Sequence, residues 1–498
     1  MSQFTAPPAR DVAVSLSSQM AGKVAHVALS LAVSLSVIRY LGPSGYGEFA
    51  YVLAVAGLLG LLADFGLSKL AVREVARRDT HEGAVLGTVI VTRLVLGAGA
   101  AGVGQLALVA LGASPAVRAA AAVLSVVFVA EAVLTVVVMF QVRLHQQYEA
   151  LVRTTIKLLE LVFVLVCIAA DASLVTLMAG LAGASATGAA LATILARRRY
   201  GLQLSVDAGL ARYLLRQALS AGPATIIGAA FLRVDIVVLG ALRPAEDVGI
   251  YGAAFQPIEY LLLSTAVIVG VLLPLLARYH GTEHERFEAV YRRGTESMVA
   301  ATVPVVIVVW LLGPELVRLL YGEGLAAIVG PMRVLTVCLV LMSVNAWQSF
   351  VLLAGGRQAM TLAYDAPALA MNIGLDLLLI PWLTYNGPGY ATLLSSIFVT
   401  ACSTAATRRC LDARLDYRRL GRVLEANVLL GAGLAALLAA RLPWLLAIGL
   451  AAPMYAASLQ VRGVVDLREL RRTLRARVTR AAGPRGVDSA GSTLVVKP

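Results

Sequence analysis

The chain is predicted to be an all-α, polytopic membrane protein of about fourteen transmembrane helices, and three observations carry that expectation. Apolar side chains make up 59% of the 498 residues and charged ones only 14%. A soluble chain averages roughly 45–50% and about 25%, so polar surface is too scarce to cover a globule of this size. Mean hydropathy is +0.82. The net charge of +13 is concentrated in alternate connections between apolar stretches, the pattern of a bilayer orientation signal rather than of a nucleic-acid surface. Most soluble enzymes and DNA-binding proteins are thereby excluded, and no nucleic-acid partner is expected.

A helix needs about 20 mostly apolar residues to cross roughly 30 Å of hydrocarbon. The first such stretch, 13–38, follows a short polar lead from Ser2 to Asp11. No small-residue cleavage site follows it, so it reads as a retained helix and not a signal peptide. Gly42-Pro43 closes it, and 46–66, 84–111 and 117–141 follow, the last opened by Ser114-Pro115. The division between 154–170 and 172–196 is less sharp. Stretch 214–241 ends at Arg243-Pro244, and 249–277 comes next. Stretch 295–313 ends at Gly313-Pro314, 327–354 at Gly355-Gly356, and Gly387-Pro388 separates 360–382 from 387–407. Such pairs are helix breakers and turn formers. Stretches 423–440 and 443–461 complete the count.

Connections after even-numbered spans, with the tail from Arg462, hold 31 Lys and Arg residues, against 5 after odd-numbered spans. The positive-inside rule then places both termini in the cytoplasm of a cell (inner or plasma) membrane protein. An odd helix count would put dense basic loops on both sides. Residues 462–498 read as a solvated basic tail, with a lipid-surface amphipathic helix over 464–478 as the alternative. Cys167, Cys338, Cys402 and Cys410 show no paired spacing, so neither a disulfide framework nor a metal knuckle is expected. His280 and His284 lack a third ligand at metal-site spacing. No Gly-x-x-x-x-Gly-Lys-Ser/Thr occurs, which removes ATP hydrolysis by that route, and no cofactor is expected.

An internal repeat organises the chain. Pro43 and Pro244 are 201 apart, Gly47 and Gly249 are 202 apart, and Ala76-Arg77 and Ala277-Arg278 are again 201 apart, so the offset holds across a helix pair. Two six-helix lobes are expected at 1–205 and 206–410, with two appended helices at 411–461 and the tail at 462–498. Six helices return the chain to its starting side, so the lobes share a topology about an axis along the membrane normal. The paired turn motifs themselves read as structural, fixing tight hairpins on the outer side.

Arg39 to Gly47 (RYLGPSGYG), Ala63-Asp64-Phe65-Gly66-Leu67 and Arg73-Glu74-Val75-Ala76-Arg77 resemble the opening of the bacterial polysaccharide and O-antigen flippases, of the superfamily of MATE-like multidrug and oligosaccharidyl-lipid exporters. Arg233-Val234-Asp235, Leu239-Gly240 and Gly249-Ile250-Tyr251 look like that family's second-half opening. Fourteen spans in two lobes plus two helices match its larger members. The resemblance implies export of a polyprenyl-diphosphate-linked oligosaccharide to the outer leaflet for polysaccharide (O-antigen, capsule or exopolysaccharide) biosynthesis by alternating access. The partners are then the lipid-linked glycan, membrane lipids and a coupling ion, proton or sodium; the sequence does not fix the oligomeric state and is compatible with a monomer. The alternatives are a cation-coupled multidrug antiporter and a lipid II flippase. A membrane-embedded glycan polymerase or glycosyltransferase would want large loops bearing paired carboxylates, and the loops here are short, so no enzyme is expected.

Ionisable groups at the bilayer centre cost about 2.5–3.5 kcal/mol even on lenient scales, so they face a cavity or a partner. Gln19, Lys23, His26, Ser30 and Ser34 advance by 4, 3, 4 and 4 residues, which puts one polar stripe down span 1. Arg93 lies roughly 14 Å into span 3. Lys23, His26, Arg93, Arg233 and Gln19 are the candidate substrate-binding residues, since a diphosphate needs cations in a poorly screened pocket. Arg233 and Asp235 point about 200° apart on a helix. One should face the cavity and the other a neighbouring helix, and the spacing does not choose. Asp235, Glu131 and Glu259 are candidate counter-charges or coupling groups. Lys157 and Arg333 are expected to snorkel from span ends. Asp64 and Arg73 suit capping or gating at the end of span 2. Asn345, Trp347, Gln348 and Asn372 are open to sugar recognition or helix packing.

Overall fold

A computed structural model describes residues 9–77 and 82–463, with backbone alone at some helical positions, among them residues 9–21, 23 and 24. The tail expected to be solvated or amphipathic lies outside the described residues. Seventeen α-helices occur among those described: α1 (Ala9–Asp64), α2 (Leu67–Arg77), α3 (Glu82–Ala110), α4 (Pro115–Leu124), α5 (Val126–Val133), α6 (Val138–Val142), α7 (Gln146–Ala169), α8 (Leu174–Tyr200), α9 (Ala208–Ala230), α10 (Val234–Leu242), α11 (Ala245–Tyr279), α12 (His284–Tyr321), α13 (Val329–Ala354), α14 (Ala359–Leu383), α15 (Gly387–Leu411), α16 (Tyr417–Ala439) and α17 (Trp444–Val461). Nine helical stretches among the described residues are long and apolar enough to cross a bilayer, and some contain a helix pair.

The expected spans are all helical. Spans 1 and 2 are the two arms of α1, joined at Gly42, whose φ of 65° is left-handed backbone that favours glycine. Span 4 is α4 to α6 with a 3₁₀ turn at Leu134–Val137, and span 7 is broken between α9 and α10. Local chemistry sets many helix starts. Ser114, Ser173 and Asp207 accept backbone N–H groups at the heads of α4, α8 and α9. Asp416 does the same for α16, and the Arg419 and Arg418 amides it accepts hold its carboxyl below the usual range.

Helices α1 to α8 pack on one another, as do α10 to α15, α9 lies between them against α1, α2, α3 and α14, and α16 and α17 lie against α12 and each other. The two groups meet chiefly along α1 and α11. Prolines inside helices deprive the carbonyl four residues earlier of its donor, and neighbouring helices supply one. Tyr321 donates to Ala253 O at 2.8 Å, four before Pro257. Tyr455 of α17 donates to Ala300 O at 2.9 Å, four before Pro304. Arg333 donates to Trp310 O at 3.0 Å, four before Pro314, beside the kink at Leu312. Arg333, expected to snorkel from the span end, makes this bond at an exposed position of α12.

Candidate functional site: a polar seam between two helix groups

The stripe on α1 continues into a hydrogen-bonded layer across the α1–α11 contact. Ser34 Oγ and Tyr46 OH both donate to Gln256 Oε1, and Gln256 Nε2 donates to Tyr260 OH at 3.0 Å. On one side of this layer the backbones of α1 and α11 touch at Gly47 and Gly249. Arg39 reinforces that closure by donating to Leu320 O at 3.0 Å and Leu319 O at 2.8 Å, carbonyls of the last turn of α12.

On the other side, toward the Arg-rich connections, lies an ionic layer. Arg233 Nη2 donates to Glu259 Oε1 at 3.0 Å, with side chains 38% and 34% exposed. Such exposure in the middle of the fold marks a wet seam rather than a sealed core. Arg233 is delivered by the break between α9 and α10, where its φ is −132°, and its stem packs on Gly57 of α1. Lys157 Nζ donates to Glu160 Oε2 at 2.6 Å within α7. His26 stands within electrostatic reach of Lys157 and Arg153, and Tyr260 within reach of Ser30, Glu259 and Glu160.

The structure thus joins His26, Arg233 and Glu259 in one seam. The backbones of Gln19 and Lys23 continue the same helix, but their side chains lie outside the described residues. Arg93 is buried between α3, α1 and the 3₁₀ turn: Nη1 donates to Thr135 at 2.6 Å, and Nε is 3.2 Å from Asp64 Oδ1. Asp64 also accepts the Ser68 amide at 3.3 Å, capping α2, while Arg73 reaches Glu74 at 3.2 Å. Glu131 is exposed, on the helical face that also carries buried Leu124, Phe128 and Thr135.

Sequence reasoning missed Lys157 and Glu160 as site residues. Helix α7 begins at Gln146, not 154, so Lys157 is about 17 Å along it at 1.5 Å per residue, and its ammonium pairs inside the bundle instead of snorkelling. Trp347 donates to Tyr291 O at 3.1 Å, and Gln348 bonds Ser403 and Thr404, so both are packing groups.

Asp235 parts company with Arg233. It is 3% exposed within the second helix group, accepting from Tyr251 OH at 2.7 Å and from Thr392 Oγ1. Asp376 and Asn372, each 0% exposed, stand beside it. Asp235 Oδ1, both Asp376 oxygens, both Asn372 amide atoms and Ser395 Oγ have no hydrogen-bond partner among the described residues. Two adjacent buried carboxylates repel unless a proton or a bound cation lies between them. The donors are hard oxygens, suited to a proton or an alkali-type cation rather than a soft metal. Among the described residues no group of three or more His, Cys, Asp or Glu is placed to hold a metal ion.

A family profile described as "Polysaccharide biosynthesis protein" matches residues 9–280, and one described as "Lipid II flippase MurJ" matches residues 251–460. No curated protein matches the chain. Among solved structures, the lipid II flippase MurJ in an inward closed conformation is similar with a TM-score of 0.74 at 12% identity, covering 90% of this chain and 98% of that one. An inward-facing multidrug resistance MATE family transporter gives 0.63 at 15%, covering 78% and 95%. An outward-facing one gives 0.57 at 16%, covering 81% and 96%. At these identities the likeness establishes the fold, that of a multi-pass membrane transporter. The chain belongs to the polysaccharide biosynthesis protein family, and its fold is the one shared by the lipid II flippase MurJ and the multidrug resistance MATE family transporters.

Proposed function

We propose that this protein moves a polyprenyl-diphosphate-linked oligosaccharide from the cytoplasmic to the outer leaflet by alternating access. The single observation that carries the reading is the half-exposed Arg233–Glu259 pair at the contact of the two helix groups. A diphosphate offers Arg233 more acceptor oxygens and more charge than one carboxylate. Cargo binding then exchanges Glu259 for phosphate and loosens the α1–α11 contact, while the lipid tail stays in the bilayer. Lys23, His26 and Lys157 border the same route, and Arg93 acts through Asp64 at the hinge after span 2. A contact that breaks only in the loaded protein ties opening to cargo.

The described cations of the seam, Arg153, Lys157 and Arg233, are each paired with one carboxylate, Glu149, Glu160 and Glu259, and the sequence adds Lys23 on the same stretch of α1. That added lysine favours an anionic lipid diphosphate over the cationic drugs of a multidrug antiporter. Lipid II, itself a polyprenyl-diphosphate glycan, is the second reading, favoured by the match at residues 251–460. The drive is a proton or sodium gradient acting at Asp235 and Asp376, the basic loops lie in the cytoplasm, and the membrane is the cell membrane.

The test is mass spectrometry of lipid extracts from cells lacking the protein, with sidedness labelling to exclude a later polymerisation block. Accumulated polyprenyl-diphosphate glycans on the cytoplasmic face, cleared on re-expression, are expected, and their glycan identifies the cargo. No accumulation, with new sensitivity to cationic dyes, would replace the flippase with the drug antiporter.

A further inference from the structure

A cavity of about 230 Å³ lies within the second helix group, lined by Phe231, Leu341, Met342, Asn345, Asp365 and Ser396 among others. Its walls stand in one register with the buried carboxylates. Phe231 precedes Asp235 by four residues. On α13, Leu341 and Met342 follow Cys338, which is within electrostatic reach of Asp235. On α15, Ser396 follows Thr392 by four, and on α14, Asp365 precedes Asn372 by seven. Helices α9 and α14 enter from the side of the Arg-rich connections and α13 and α15 leave toward it, so each wall sits one or two turns from the cluster in the same direction. The cavity is therefore directly beneath Asp235, Asn372 and Asp376.

Ser349 in its wall donates to Asn345 O at 3.0 Å, but other polar groups there are not spent on the protein. Ser396 is 3% exposed and, among the described residues, its Oγ has no hydrogen-bond partner, nor has Asn345 Oδ1. Asp365 records no ion pair among the described residues. A space of this size with several polar partners holds several waters, and a carboxylate in it attracts cations over anions. Leu262 of α11 also lines it, three residues from Glu259, so the cavity borders the seam as well.

We propose that this cavity is the hydrated entry chamber through which a small monovalent cation reaches Asp235 and Asp376, and that Asp365 is its receiving group. The inference rests on the reading of that pair as the coupling site, and the test keeps the two apart. The full chain, with Cys167, Cys338, Cys402 and Cys410 replaced by alanine and Asn345→Cys added, is reconstituted in liposomes. It is treated with a cationic and an anionic methanethiosulfonate, while carbodiimide modification of Asp376 reports the deep site separately.

The cationic reagent should react at least about tenfold faster, a preference that Asp365→Asn removes and Asp365→Glu keeps. Half-protection of Asp376 should need about five- to tenfold more cation in Asp365→Asn. Protection by sodium at fixed pH makes the cation sodium, and protection by raised pH alone makes it a proton. Equal rates for both reagents, or unchanged half-protection in Asp365→Asn, would overturn the entry chamber while leaving the coupling site standing. If neither sodium nor pH protects Asp376, and Asp235→Asn transport still follows the ion gradient, the coupling site itself is wrong, whatever the chamber's charge preference.

Discussion

Gly47 and Gly249, 202 positions apart in the sequence, are packed backbone to backbone. A methyl group on Gly47 would overlap the Ala245 carbonyl, and one on Gly249 would overlap that of Pro43. Each turn motif thus contributes a glycine to one seal, which closes the side opposite the Arg-rich connections. The two turn motifs, expected to do no more than shape hairpins, hold the helix groups together.

Gly249→Ala should therefore prevent full closure without disturbing either group internally. With the native cysteines replaced, Ser30→Cys, buried behind the polar layer, reports the leak. Labelling by an impermeant maleimide from the side opposite the basic loops should rise about tenfold, a shift of roughly 1.4 kcal/mol in the open population, and cargo transport should fall. Unchanged labelling would mean that the glycine contact is not the seal.

Glu259→Gln should free Arg233 of its counter-ion. Affinity for a soluble prenyl diphosphate, measured with farnesyl diphosphate, should then tighten about three- to tenfold, roughly 1 kcal/mol. Arg233→Gln should weaken it by at least as much, and Arg233→Lys should recover only part because the planar fork is lost. Affinities within twofold of the parent in both Glu259→Gln and Arg233→Gln would remove this pair from the cargo site.

The helices were legible because hydropathy and chain-breaking pairs are local properties: Gly42-Pro43, Ser114-Pro115 and Arg243-Pro244 all fall at or beside helix junctions. The partners were not. Asp64 is joined to Arg93, and Asp235 to Thr392 and Asp376, only by packing between helices far apart in the chain. Residue spacing established that Arg233 and Asp235 diverge, and the fold decided which one met the seam. Lys157 was misread because the polar first turns of α7 hid where the helix begins. One signal lay in the sequence unused: every proline within a span announces an unpaired carbonyl four residues earlier, as at Ala253, Ala300 and Trp310.

Lys157→Ala should strand Glu160, whose side chain is 8% exposed, as an uncompensated buried charge. Breaking such a pair from one side costs about 3–5 kcal/mol, whereas removing both partners costs far less. Lys157→Ala should accordingly lower the thermal midpoint in detergent more than the double variant with Glu160→Ala does, while neither restores transport. If the double variant is the less stable of the two, the pair does not behave as a buried salt bridge.

Arg333→Ala should leave the Trp310 carbonyl without a donor, at a cost of about 1–3 kcal/mol where hydrocarbon rather than water replaces the guanidinium. The orphan exists because Pro314 has no N–H, so Pro314→Ala, which restores one, should make Arg333 dispensable. The stability loss from Arg333→Ala should therefore be large with proline at 314 and near zero with alanine there, and transport per folded molecule should not change. Equal losses in both backgrounds would show that Arg333 acts on something other than this carbonyl. The same cycle applied to Tyr455→Phe with Pro304→Ala asks whether α17 is anchored by a proline-released carbonyl, since Tyr455 donates to Ala300 O in the same relation. A positive result at both positions would mean that the prolines, by exposing acceptors at fixed depths, help specify which helices pack together.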